Sequence, residues 1–148
     1  MTHPFPLPIL AKPQVGWSHI FLPNFDSRLS YLDDVAVLLL QDLILGYLDK
    51  HTSAVTFDCE GWDTTIVLTD FSIYGIKTDT EPSCFTEVSG YVYVFIHEII
   101  TEIEQNLDLW ASFTVMESDE QAYQKETEKN KATIKHLIQT IKEHKNYA

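Results

Sequence analysis

The chain has 148 residues, 45% hydrophobic, 12% aromatic and 22% charged, a composition that excludes a disordered chain and fits one packed domain, 1–148. The net charge is −12, and residues 51–116 carry most of it, with 11 acids against a single lysine. Such a field repels nucleic acid and anionic membrane and attracts cations or a basic protein.

Residues 1–26 hold five of the six prolines and read as an extended arm packed onto the body through Phe5, Leu7, Ile9, Trp17 and Phe21, with residues 16–22 as an edge strand. Its prolines and its lack of an early Lys or Arg argue against a signal peptide, so a soluble, cytoplasmic protein is expected. Cys59 and Cys84, without CxxC spacing, are then expected as reduced thiols.

Asp26 or Ser27 is expected to cap a helix running to Lys50, with Leu29, Leu32, Val35, Ala36, Leu39, Leu43 and Tyr47 on one face. Its other faces are apolar too, which predicts a central buried helix or one covered by a second subunit in a homodimer. Gln41 and Asp42 interrupt the block, which is too short and polar to span a bilayer.

From Thr52 the period changes to two: Val55, Phe57 and Cys59 alternate with Thr56, Asp58 and Glu60, and Gly61 permits a tight turn. Residues 66–76 read as one long strand or two short ones, 77–84 as a loop, and 86–96 as a strand because YVYVFI is rich in β-branched and aromatic residues. A short helix around Ile99, Ile100, Ile103 and Leu107 and a strand over 110–116 are expected next. Last comes a long helix from a Ser118 cap, docked through Ile134, Leu137, Ile138 and Ile141. The predicted fold is α+β: one antiparallel sheet of about four to five strands against a buried N-terminal helix and a long C-terminal helix.

No constellation specifies a catalytic, cofactor or metal site. His97, Glu98, Thr101 and Glu102 resemble a zinc-protease helix only until Thr101, which stands where HExxH needs its second histidine, so a polar surface stripe is expected. Asp58, Glu60, Asp63 and Asp70 could place paired carboxylates on one strand face, but acids are frequent here and enclosure cannot be read from sequence. EF-hand, GxSxG and phosphate-loop patterns are absent, and the six histidines are too scattered for a mononuclear metal site.

A surface argument remains. Asp58, Glu60 and Asp63 flank Gly61 and Trp62 at a hairpin tip, and Asp79 and Glu81 extend the negative character. Trp62 is either an exposed anchor with a charged rim or a cover for the core. The leading expectation is a non-enzymatic acidic binding protein that neutralises a basic, toxin-like protein, most concretely an immunity or antitoxin protein blocking a nuclease, without nucleic acid or membrane as partner. A dimeric acidic secretion-type chaperone is second, and a small enzyme acting on a cationic substrate is third.

Overall fold

The computed structural model describes residues 3–78, the backbone of 84–87, and residues 90–148. The chain is α+β, but among the described residues the strands form two antiparallel sheets, of three and four strands, where the sequence reading has one. The three-stranded sheet is a meander of β1 (Leu10–Gln14), β2 (Trp17–Leu22) and β3 (Phe25–Ser30). The four-stranded sheet runs in chain order through β4 (Thr52–Asp58), β5 (Asp63–Thr69), β6 (Ser72–Lys77) and β7 (Cys84–Glu87).

Most of the expected arm is therefore sheet, and β2 is its central strand, not an edge. Helix is also expected for residues 27–34, yet Ser27, Leu29 and Ser30 are buried strand residues. The helix begins only after Asp34, whose Oδ1 accepts a hydrogen bond from the Val37 N–H at 3.2 Å. Burial of Asp34 pushes its carboxyl pKa up, against the lowering effect of that bond.

The first helix, α1, spans residues 35–50 as Val35–Val37, a π-helical stretch Leu38–Leu45, and Gly46–Lys50. A Cβ on Gly46 would lie 3.1 Å from the Ser53 Cβ, and Ser53 Oγ donates to the Leu43 carbonyl at 2.6 Å, so β4 passes very close to the helix. Leu39, Leu40, Leu43, Ile44 and Leu48 are at most 1% exposed, and α1 packs against β4 and the last helix. On the second apolar face Leu40, Ile44 and Leu48 are buried within the chain, and Leu38 and Leu45 are half-buried.

The two strands expected over 86–96 and 110–116 give way to helix from Val92 and up to Ser112; of their described residues only 86–87 are strand, and 113–116 are not helical. Residues 92–105 form α2 (Val92–Gln105), with Val92, Phe95, Ile96, Ile99, Ile100 and Ile103 buried at three- and four-residue spacing. Helical periodicity prevails there over the strand propensity of YVYVFI. Residues 107–112 form α3 (Leu107–Ser112), which buries Trp110. The final helix, α4 (Glu120–Lys142), follows the expected course with the expected seam, but its cap is Asp119, whose carboxylate accepts from the Ala122 N–H at 2.9 Å. Among the described residues no helix is long and apolar enough to cross a membrane.

Candidate functional site

The closed end of the β4–β5 hairpin brings four of the six expected site residues together: Asp58, Glu60, Trp62 and Asp63. Asp79 and Glu81 lie outside the described residues. Asp58 pairs with Asp63 across the end of the ladder, and the Cys59 N–H donates to the Trp62 carbonyl at 2.8 Å to close the turn. Glu60 and Gly61 have φ of 61° and 134°; the first is tolerated because the Asp58 Oδ1 accepts from the Glu60 N–H at 3.0 Å. Asp63 is held through its backbone, its N–H donating to Thr78 Oγ1 and its carbonyl accepting from the Thr78 N–H, both at 3.0 Å.

Beneath the tip lies a small polar core. Thr64, fully buried, shares a hydrogen bond with the Ser27 hydroxyl at 2.7 Å and accepts from Trp62 Nε1 at 3.1 Å. Trp62 is half-buried and packed against the hydrophobic core, with its indole N–H turned into this network. Burial pushes the Cys59 thiol pKa up, hydrogen bonding to Thr64 and Ser27 opposes it, and the negative charges of Asp33 and Asp58 add to the rise.

One contributor was not foreseen. Asp33, on the loop after β3, accepts the Asp58 N–H on its Oδ2 at 2.6 Å, and from the end of the same strand Ser30 Oγ donates to Glu60 Oε2 at 2.6 Å. The first sheet thus reaches across to fix the turn of the second. A sequence reading that places residue 33 inside a helix could not bring it to the hairpin. The side chains of Asp58, Glu60 and Asp63 remain exposed, and none of these four acids forms an ion pair among the described residues.

Asp70, grouped with the tip acids by sequence, sits at the opposite end of the hairpin, where it accepts from the Tyr47 hydroxyl at 2.7 Å and is hydrogen-bonded to His51 Nδ1 at 3.1 Å. The zinc-protease-like fragment also disperses: His97 stacks on Tyr147 at 5.2 Å, while Glu102 accepts from the buried Trp110 Nε1 at 2.8 Å. No cluster of three or more metal-ligating side chains occurs among the described residues. Comparison with known proteins finds no match: no family model, curated protein or solved structure is significantly similar to the chain.

Proposed function

We propose that this chain is a non-enzymatic acidic binding protein whose β4–β5 tip engages a basic protein partner, most concretely as an immunity or antitoxin protein that neutralises a cationic toxin such as a nuclease. The observation that carries the reading is a set of three exposed carboxylates, Asp58, Glu60 and Asp63, fixed on one rigid tip without a cation from the described part of the chain. Two like charges 4 Å apart repel by about 1 kcal/mol even in bulk water. A chain that anchors such a set through its backbone carries a repulsion that a cationic partner relieves, and the same field accelerates encounter with that partner.

The reading favours binding over catalysis because a general acid needs an enclosed carboxyl group, whereas these three face solvent. Trp62 supplies apolar surface at the foot of the charged rim. The test is capture of partners at low and high salt, followed by affinity measurement on the recovered complex with the native chain and with Asp63→Lys. A one-to-one, salt-sensitive complex with a basic protein, weakened by Asp63→Lys, is expected. Equal affinity of the two chains would remove the tip from the interface.

A further inference from the structure

The outer face of the first sheet carries a constellation opposite in character to the tip. Along β2, Trp17, His19 and Phe21 alternate with Ser18, Ile20 and Leu22, which are buried on the inner side. The half-exposed outer residues form an aromatic row: the His19 and Phe21 rings stack at 4.3 Å with 10° between planes, and the Arg28 guanidinium lies 4.4 Å from the Trp17 ring centroid. Between Ala11 and Gln14 the β1–β2 register slips, so Lys12 and Pro13 stand opposite Ser18 alone, a bulge of the kind that re-aims side chains. A groove of about 550 Å³ lies here, lined by Lys12, Trp17, His19, Arg28 and Glu102 among others.

Charge decides what suits this groove. Arg28 is the only arginine of the chain, and among the described residues neither it nor Lys12 forms an ion pair, although the chain has 22 carboxylates. The carboxylate in the lining is already engaged, since Glu102 accepts from Trp110 Nε1 at 2.8 Å and from Asn106 Nδ2 at 3.0 and 3.1 Å. Nearby Asp26 is held by His19 Nε2 at 2.6 Å. Both donors to Glu102 are neutral, so it keeps its charge, and the lining holds two exposed cations against one carboxylate, a net positive charge beside a row of flat rings.

We propose that this groove is a ligand site for a small anion borne on a flat ring system, the ring lying along Trp17, His19 and Phe21 and the anionic group held by Arg28 and Lys12. Its volume falls within the roughly 300–1,000 Å³ of small-molecule sites. A long polyanion does not suit it, because the chain's net charge of −12 repels an extended phosphate backbone, whereas a single anionic group is met locally by the two cations. The site shares no side chain with the acidic tip, so either can fail without the other.

The test follows the Trp17 indole N–H in ¹H–¹⁵N spectra while the full chain is titrated with adenosine 5′-monophosphate or indole-3-acetate, and with adenosine or inorganic phosphate as the separate halves. A saturable shift of Trp17 with at least one ring anion is expected, about tenfold tighter than with either half, and about tenfold weaker in Arg28→Gln. Binding of the monophosphate alone would name a phosphate ligand, and of the indole acid alone a carboxylate ligand. Should Arg28→Gln not fold, Lys12→Gln reads the same contribution. Equal binding of phosphate or adenosine alone, or no movement of Trp17, would overturn the proposal.

Discussion

The two ends of the β4–β5 hairpin are both acidic and use their carboxylates in opposite ways. At the closed end, Asp58, Glu60 and Asp63 are exposed, form no ion pair among the described residues, and are positioned by hydrogen bonds to the turn backbone and to Ser30. At the open end, Asp70 is bound by Tyr47 and His51, whose hydrogen bonds hold its carboxyl below the usual carboxylate range. The same residue type, exposed at both ends, thus binds neighbours of its own chain at one end and keeps its charge for solvent, or a partner, at the other. Neighbours reached through the fold decide the difference, and sequence spacing does not.

The contrast depends on a rigid closed end, and the largest effects should come from loosening its attachment. Phe25 of β3 lies directly over Gly75 of β6, where an added Cβ would fall 2.4 Å from the ring, so the absence of a side chain at 75 lets the two sheets meet. Gly75→Ala is expected to cost about 1–3 kcal/mol in urea denaturation, as overpacked sites do. Adding Phe25→Ala should recover part of that loss; strict additivity in the double-mutant cycle would mean the sheets are not joined there.

A somewhat smaller loss is expected for Thr64→Val, which keeps the shape but removes the oxygen that receives the Trp62 indole and pairs with Ser27. An unmade buried bond of this kind costs about 1–2 kcal/mol. Thermal unfolding measures the cost, and the ¹H–¹⁵N resonance of the Trp62 indole should move. An unshifted resonance would show that the polar core does not hold the tip.

The tip was legible in part, because alternation through residues 55–60 and a glycine at 61 specify a turn there, although the second strand, expected from 66, begins at Asp63. The long C-terminal helix was legible too. Residues 27–34 were not: Leu29 and Leu32 satisfy helical spacing while Ser27, Leu29 and the turn after Ser30 satisfy a strand, and only pairing with β2 decides between them. In residues 92–103 the two signals conflicted openly, and packing of one apolar stripe outweighed local strand propensity. Asp33 could not be found, since it acts on a residue that the fold alone brings near, and Glu102 stood out only in the zinc-protease-like fragment, whereas it serves Trp110 and Asn106.

The open end makes a sharper prediction in pH. The folded pKa of Asp70 is depressed, so the stability it contributes is present above about pH 4, the ordinary aspartate value, and is lost as pH falls through the lower folded value. Tyr47 works on the other limb: burial, and then the bond to Asp70, hold its hydroxyl well above the usual phenol range, so its contribution is present below about pH 10 and is lost as pH rises beyond it. Tyr47→Phe removes the shared bond and should leave a flatter stability profile at both extremes, read as the difference from the native chain. A difference that does not vary with pH would mean that the bond is not held in solution.

Asp63→Lys should change stability least of all, within about 0.5 kcal/mol at neutral pH, and toward greater stability because it removes one of several like charges from an exposed site. Its large effect is reserved for the partner, where the same substitution places a cation on the surface that a basic protein would approach. A marked loss of stability in Asp63→Lys would make the tip carboxylates fasteners like Asp70, and the contrast between the two ends of the hairpin would disappear.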